Sequence, residues 1–406
     1  MKYKLLFALL SFAAASLFGG TVKLGDEFFQ VTDTVKTPSV PFLKPYVNGK
    51  IKALFLVPRF GAREVVELSQ RMDIEHTVIM FQDVKQLGDD LVIGAEQELM
   101  LEKLDSALAL DYDLIVIGNI HWDAIPEEQQ FKILKKVSDG AGLAYCSFHD
   151  RQQPEIFKEL FTSADAPFAV SGKQERYQFQ RLRDGRVLLK HGFGGIAHHH
   201  CLISKVVTRL EYENAMAQLI RSLAWLSKKY EPRLKIQSRS PERIEFAPVG
   251  ESLELTLYDG DCNLLQRQVL DNSSTYKVPD LPGGVYSLFV RLVNDKGNVL
   301  DGISLPLEIR SATAITSLTA DKEYYRAGDI VSLNVESNSD GRYQLELRDN
   351  YRRILLRQDF PSGPITFTAP ENTTVYNIAR ISLVRNGKVA AVKEVPVYIH
   401  SKEPDG

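Results

Sequence analysis

The feature that most constrains the fold is a change of pattern near residue 230. Before it, short apolar runs alternate with segments of helical spacing, and after it, short apolar or alternating runs are separated only by turn residues. Alternating strands and helices predict right-handed crossovers and a parallel sheet. Strand runs about 8–12 residues apart predict antiparallel sandwiches. The sequence therefore predicts a multidomain chain, an α/β domain followed by two antiparallel β-sandwiches.

Individual segments carry this prediction. The run Ile51–Val57 is apolar except for one lysine, which is typical of a strand buried on both faces. Pro126 is suited to the first position of a helix, because its missing N–H has no partner there anyway. That helix is predicted to bury one face, formed by Phe131, Leu134 and Val137.

The first twenty residues have the layout of a secretory signal peptide. Lys2 and Lys4 precede the apolar run Leu5–Phe18, and small residues follow at Gly19 and Gly20. The run is shorter than the roughly 20 residues of a spanning helix. We therefore expect an exported protein, periplasmic or extracellular, with no membrane span after cleavage.

Pattern and composition together predict the domain organisation. Turn residues between Tyr177–Arg183 and Arg186–Lys190 favour a hairpin at Asp184-Gly185, and prolines cluster between residues 21 and 50. The predicted segments are a signal peptide at 1–20, an extended arm at 21–50, the α/β domain at 51–232, and sandwiches at 233–311 and 312–402.

Charge and cysteine content exclude two classes of protein. The formal net charge is −3 and there is no basic block, so the chain is a poor candidate for nucleic-acid binding. Three cysteines are too few for a disulfide scaffold. Cys146, Cys201 and Cys262 allow either one disulfide with a free thiol or three buried thiols.

Three stretches of the first domain carry a family resemblance: Tyr112–Gly118, Pro126–Gln130 and Asp139–Leu143. They resemble the class I glutamine amidotransferase-like superfamily, and more closely its ThuA-like and β-galactosidase-trimerisation-like branches. The resemblance covers about residues 50–230 and implies a flavodoxin-like sheet. In exported bacterial proteins, such domains joined to sandwiches are in some cases linked to glycoside hydrolases.

The resemblance places a nucleophile at Cys146, yet its neighbours do not fit that role. The family's cysteine stands between small residues on a sharp turn, whereas the segment Leu143–His149 has no glycine beside Cys146. No His-x-Glu follows to supply the base that the family uses, and a thiol without such a base is not activated. We therefore expect no glutamine hydrolysis and interpret Cys146 as an inert core thiol.

Histidines concentrate in the first domain. His121 and His149 follow predicted strands, and a loop carries three more. Because ligands of open α/β sheets bind at the carboxyl ends of the strands, these imidazoles are predicted to share one edge. Three interpretations stay open: a metal site for an ion such as zinc, a polar pocket without metal, or no site at all. The candidate pocket contains Arg59, His121, Trp122, His149, His198, His199 and His200, and its candidate metal ligands are His121, His149, His198 and His200.

Two further groups have competing interpretations. Arg59 and Arg63 flank the first strand-to-helix turn, where they could bind an anion or form surface salt bridges. The second sandwich contains tyrosines that could stack on sugars or could fill the core and favour strands. These tyrosines are Tyr324, Tyr325, Tyr343, Tyr351 and Tyr376.

The segment Tyr324–Asp329 resembles the strand opening of macroglobulin-like and fibronectin type III-like sandwich domains. Together with the first-domain resemblance, it implies an exported, non-catalytic binding or assembly protein associated with carbohydrate processing, with a carbohydrate or protein partner. The alternative is a carbohydrate-active enzyme or accessory subunit with a histidine-rich pocket. The sequence does not determine the oligomeric state.

Overall fold

A computed structural model provides the coordinates. It describes residues 39–58, 62–81, 94–118, 120–147, 154–168, 176–191, 209–247, 250–271, 274–350, 353–361 and 363–400. The predicted signal peptide at 1–20 and the first part of the predicted arm lie outside these residues. The chain divides into two compact units. The first takes in residues up to 207, 211–234 and 291–303, and the second takes in 208–210, 235–290 and 304 onward.

The first unit is built on a mixed sheet with helices. Its described strands are β1 Ile51–Pro58, β2 Ile74–Phe81, β3 Leu114–Gly118, β4 Gly142–Ser147, β5 Thr162–Ser163, β6 Arg176–Leu182 and β7 Gly185–His191. The helices are α1 Ala62–Arg71, α2 Gly94–Leu108, α3 Glu127–Ser138, α4 Glu155–Leu160 and α5 Arg209–Leu226, with a 3-10 turn at Trp122–Ala124.

The strand order of this sheet is β2-β1-β3-β4-β7-β6-β5. The pairs from β2 through β7 are parallel, and β6 joins β7 as an antiparallel hairpin. All five residues of β3 are buried, as its apolar sequence predicts for a strand covered on both faces. The α/β character and the parallel core predicted from the sequence are therefore present.

Two local predictions in this unit are wrong. Phe131 does not share the inward face of α3: its side chain is 67% exposed, and the buried positions of that helix are Gln129, Ile133 and Val137. The hairpin turn is also shifted by one residue, because Leu182 pairs with Gly185 and leaves Arg183 and Asp184 in the turn.

Packing against α3 explains the position of Gly185. A Cβ atom there would lie 2.1 Å from the carbonyl oxygen of Val137 and 2.8 Å from that of Ala141. Both neighbours are backbone atoms, which cannot rotate away. The glycine is therefore required by close approach at the start of β7, and the turn itself uses Arg183 with a positive φ of 48°.

The described part of the predicted arm is anchored in the first unit. The N–H groups of Phe42 and Leu43 donate to the carbonyl oxygen of Arg71, and the Tyr46 hydroxyl donates to that of Lys229 at 2.5 Å. Val40, Phe42, Leu43 and Tyr46 are buried. Residues 39–47 therefore contribute to the core of this unit.

A buried carboxylate, Asp301, completes the same unit. It accepts hydrogen bonds from the Tyr230 hydroxyl and from the backbone N–H groups of Arg233 and Leu234, the latter two at 2.6 Å. The Arg221 guanidinium lies 3.4 Å from it. Burial and the nearby carboxylate raise the pKa of Tyr230 well above its usual value. This cluster, at the end of α5, explains why residues 291–303 belong to the first unit.

The remaining strands form two sandwiches with the same strand order. The first has β8 Ile236–Arg239, β9 Arg243–Phe246, β10 Ser252–Asp259, β11 Leu264–Leu270, β12 Thr275–Lys277, β13 Gly284–Val293 and β14 Val299–Ile309. The second has β15 Ile315–Ala320, β16 Tyr324–Arg326, β17 Ile330–Ser337, β18 Arg342–Asp349, β19 Ile354–Phe360, β20 Ile365–Thr368, β21 Tyr376–Arg385 and β22 Lys388–His400.

The sheets of the two sandwiches correspond strand for strand. The orders β11-β10-β13-β14 and β12-β9-β8 in the first match β19-β18-β21-β22 and β20-β17-β15 in the second, where β16 is added beside β22. The hairpins β10–β11 and β18–β19 share a register shift at the end of the first strand, just before Asp259 and Asp349. These two carboxylates are buried in equivalent positions. The second sandwich therefore repeats the topology of the first.

The core of the second sandwich draws alternate side chains from both of its sheets. Val331, Leu333 and Phe367 come from one sheet, and Leu345 and Ile381 from the other. This alternation is the period of a half-buried strand. Among the described helices, none is both long and apolar enough to cross a membrane.

Candidate functional site

The predicted pocket at the carboxyl edge of the parallel sheet is only partly described. Arg59, His149 and the run His198–His200 lie outside the described residues. His121 precedes the 3-10 turn and is half-buried, while Trp122 is buried, with its ring 4.8 Å from that of Phe157. Among the described residues, no three His, Cys, Asp or Glu side chains are grouped to hold a metal. The shared histidine pocket and its metal stay predictions.

Cys146 lies on β4 in the middle of the sheet. It is paired in register with Gly118 on β3 and Lys190 on β7, and its side chain is fully buried. The neighbouring Lys190 is buried as well, with its ammonium 5.9 Å from the centre of the Tyr177 ring. Because the Cys146 side chain is buried, a substrate would not reach its thiol. Cys262 is also buried, and Cys201 lies outside the described residues.

Near the start of α1, Arg63 forms a salt bridge, which is one of the two roles that the sequence allowed for it. Its guanidinium lies 2.5 Å from Glu67, one turn along the helix. Glu67 in turn bonds to Arg71 at 2.7 Å, and Arg71 reaches Glu213 on α5 at the same distance. Arg71, Glu67 and Glu213 are all buried, so this network links two helices in the interior.

An exposed row of aromatic rings lies on the second sandwich. It consists of Tyr376 on β21, Tyr398 and His400 on β22, and Tyr324 on β16, which are three adjacent strands. The ring centres of Tyr376 and Tyr398 are 5.7 Å apart, as are those of Tyr398 and Tyr324, and Tyr324 is 5.3 Å from His400. Tyr324 is 52% exposed and Tyr376 38%. We call this group the aromatic row.

Only part of the predicted tyrosine platform contributes to this row. Tyr325 and Tyr343 are core residues, because in each case the strand turns the ring inward. Tyr351 lies outside the described residues. Tyr398 was missed by sequence reasoning, although the period of two along β22 could have found it: Val397 and Ile399 are buried, and Tyr398 and His400 alternate with them.

A cavity of about 400 Å³ lies further along the outer face of the same sheet. Its walls are strands β18, β19 and β21 and the end of β10. We call it the arginine cavity. The charged residues lining it are Asp259, Glu346, Arg348, Arg357, Asp359 and Arg380.

Carboxylates hold the guanidinium groups of this cavity in place. The Asp261 carboxylate accepts from Arg380 at 2.5 Å and from Arg348 at 3.3 Å. Glu346 accepts from the Nε atom of Arg348 and, at 2.7 Å, from that of Arg357. These bonds keep the pKa of the Glu346 carboxyl below its usual value despite its burial.

The loop that presents Asp261 is itself fixed by a buried carboxylate. Asp259 accepts from the N–H groups of Asp261 at 3.1 Å and Asn263 at 2.8 Å, and from the Asn263 side chain at 3.0 Å. Cys262 takes a positive φ of 63° within the turn. An Asp that bonds to backbone N–H groups ahead of it is a common device for fixing a turn. The cavity wall is therefore preorganised.

Glu394, the partner of Arg380 across β21 and β22, has a perturbed acidity. Partial burial and the neighbouring Asp261 carboxylate raise its pKa to about 7, and the guanidinium groups of Arg380 and Arg348 oppose the shift. Its carboxylate lies 3.5 Å from Arg380. The group changes charge near neutral pH, so the charge balance of this surface depends on pH.

Comparisons with known proteins do not assign the chain to a family. No known family profile matches the chain, and no curated protein does. A solved structure of the chicken CNTN1 FN1–FN3 domains is 11% identical, covering 42% of this chain and 66% of that one, with a TM-score of 0.19. Fibronectin(III)-like modules of Clostridium thermocellum CbhA are 14% identical, covering 42% and 95%, with a TM-score of 0.18.

An enzyme structure is also similar over a limited region. A β-glucuronidase from Ruminococcus gnavus in complex with D-glucaro 1,5-lactone is 10% identical, with a TM-score of 0.20. The alignment covers 39% of this chain and 36% of that one, so this chain spans about a third of the enzyme's length. At TM-scores of this size, an alignment carries no functional information.

Proposed function

We propose that this chain is an exported, non-catalytic binding and assembly protein of carbohydrate processing, and that the aromatic row binds the glycan. The observation that carries the proposal is the row of adjacent tyrosine rings across three strands of one sheet, in which Tyr324 and Tyr376 are exposed and Tyr398 between them is half-buried. Exposed rings in contact with one another are costly to leave in water and offer flat apolar faces with polar edges. Such faces suit the C–H faces of sugar rings.

Topology supports the domain assignments in this proposal. The order β2-β1-β3-β4-β7 has the form of the flavodoxin-like order 2-1-3-4-5, with β7 in the last place. It supports an amidotransferase-like, flavodoxin-like domain over the predicted residues 51–232. Three strands facing four in the first sandwich, and the same arrangement with β16 added in the second, support fibronectin type III-like domains at 233–311 and 312–402.

The environment of Cys146 supports the non-catalytic part. A family nucleophile must be reached by substrate, and this thiol is buried within β4. Activation also needs a base held by a carboxylate, and the sequence has no His-x-Glu after Cys146 in the first domain. Glycan binding by the second sandwich requires neither a nucleophile nor a base.

Glycan binding by the purified chain tests the proposal. Affinity electrophoresis through gels containing xylan, β-glucan, glucomannan or pullulan should retard the wild-type protein in at least one of them. Tyr398→Ala should weaken that binding about tenfold, since loss of a ring contact is worth ~1–1.5 kcal/mol. The matched control is Phe131→Ala, which removes an exposed ring from α3 in the first unit.

Two outcomes would contradict the proposal. The first is unretarded migration of the wild-type chain in every gel. The second is an equal loss of binding in the Tyr398 and Phe131 variants, which would show that the row has no special role. Circular dichroism of both variants verifies that each is folded.

A further inference from the structure

We propose that the arginine cavity is a second glycan subsite, which takes one neutral, hydroxyl-rich sugar unit and continues the surface that begins at the aromatic row. The inference rests on the proposed function and deepens it. Its basis is the volume, charge balance, hydrogen-bonding capacity and position of the cavity.

The cavity has the size of a small-molecule site. Its volume of about 400 Å³ falls within the ~300–1,000 Å³ that such sites occupy. Most of its lining side chains are polar and come from one sheet and the end of β10, so a ligand entering it would meet groups that are already oriented. Preorganisation of this kind lowers the entropic cost of binding.

The charges at the cavity nearly balance. Three guanidinium groups, from Arg348, Arg357 and Arg380, line it with three carboxylates, from Asp259, Glu346 and Asp359. Just outside the lining, the Asp261 carboxylate bonds to Arg348 and Arg380, and the Arg342 guanidinium pairs with Asp359. An anionic or cationic ligand would be attracted by one set and repelled by the other. A neutral polyol can use both, because each hydroxyl donates one hydrogen bond and accepts others. The charge balance therefore favours a neutral sugar over an acidic or basic one.

The Arg357 guanidinium has N–H donors that make no hydrogen bond to the described residues. Among the described residues, Arg357 makes one hydrogen bond, from Nε to Glu346, although a guanidinium has five N–H donors. Its side chain is 68% exposed at the rim of the cavity. Hydroxyl groups that replace water on these donors would form charge-assisted hydrogen bonds, which are stronger than neutral ones.

Strand register connects the cavity with the aromatic row. Tyr376 and Arg380 are four residues apart on β21, so they lie on one face about 13 Å from each other. Their partners across β22 are Tyr398 and Glu394, in the same two rows. A glycan of several units lying along β21 would therefore stack at one end and hydrogen-bond at the other.

The experiment uses the full chain and oligosaccharides of increasing length from the polysaccharide that binds best. In isothermal titration calorimetry, affinity should rise with length until the glycan spans both ends. Arg357→Gln should remove that gain, binding the long oligosaccharide about tenfold more weakly and the short one unchanged. Arg310→Gln is the matched control, because Arg310 is exposed in the same unit and does not line the cavity.

Salt distinguishes the proposed ligand from an acidic glycan. Affinity for a neutral sugar should stay constant between 50 and 500 mM NaCl, whereas steep weakening would indicate an ionic ligand and overturn the proposal. Equal affinities of the Arg357 and Arg310 variants for the long oligosaccharide would also overturn it, while leaving the aromatic row intact. If no glycan binds the wild-type chain at all, the proposed function fails as well.

Discussion

Replacement of Asp301 by alanine should strongly destabilise the first unit. The carboxylate is fully buried and accepts hydrogen bonds from the Tyr230 hydroxyl and from the N–H groups of Arg233, Leu234 and Gly302. Alanine leaves all of these donors without their acceptor. The Arg233 N–H is only part-buried and can donate to water instead, but the other three donors are buried and cannot.

The expected loss can be worked out from these donors. Each buried donor without a partner costs ~1–3 kcal/mol, so three of them cost at least ~3 kcal/mol. Removing one member of a buried charged cluster costs about 3–5 kcal/mol in other proteins. We therefore expect Asp301→Ala to lower the free energy of unfolding by about 3–5 kcal/mol.

Urea denaturation followed by tryptophan fluorescence measures this loss in the correct unit. The sequence contains two tryptophans, Trp122 and Trp225, and both are buried in the first unit. Asp111→Ala is the control, because Asp111 is an exposed carboxylate of the same unit; its loss should stay under ~0.5 kcal/mol. A loss below about 1 kcal/mol for Asp301→Ala would refute the reasoning.

Two further predictions concern stability. Burial raises the pKa of Glu394 to about 7, so its contribution to stability is complete below the unfolded-state value near 4.5 and is lost as the pH rises through 7. The melting temperature of the wild-type chain should therefore fall more between pH 5 and pH 8 than that of Glu394→Gln, and equal falls would contradict the shift. Gly185→Ala would force a Cβ against the Val137 carbonyl and should lose about 1–3 kcal/mol in urea, whereas Gly250→Ala, with no atom within 4 Å, should lose almost nothing.

Elements with a clear local signal in the sequence could be predicted well. The apolar run Ile51–Val57 forms a central strand because a strand buried on both faces needs no alternation. Asn386-Gly387 turns a hairpin, with φ values of 51° and 76°, because both residue types tolerate the left-handed region. The inward face of α3 was predicted wrongly, since Gln129 is buried there and Phe131 is exposed.

Features that depend on contacts between residues far apart in the sequence could not be predicted. Nothing local to Asp301 shows that it meets Tyr230, about seventy residues earlier. The arginine cavity likewise requires Asp261 and Arg380 to meet across two sandwiches, and their residue types alone are typical of any solvated surface. The exposure of Tyr376 and the burial of Tyr325 follow from which face each strand turns inward, and a tyrosine suits either face.

The placement of residues 291–303 has a consequence for how the chain acquires its structure during synthesis. The ribosome delivers the amino-terminal region first, and domains generally fold as they emerge. Here the first unit stays incomplete until the Asp301 carboxylate and the Val299 backbone, which bonds to Pro45 and Val47, have been made. By then β8 to β13 have already been synthesised. In the order of the chain, the strands of the parallel sheet therefore come well before the residues that supply its closing contacts.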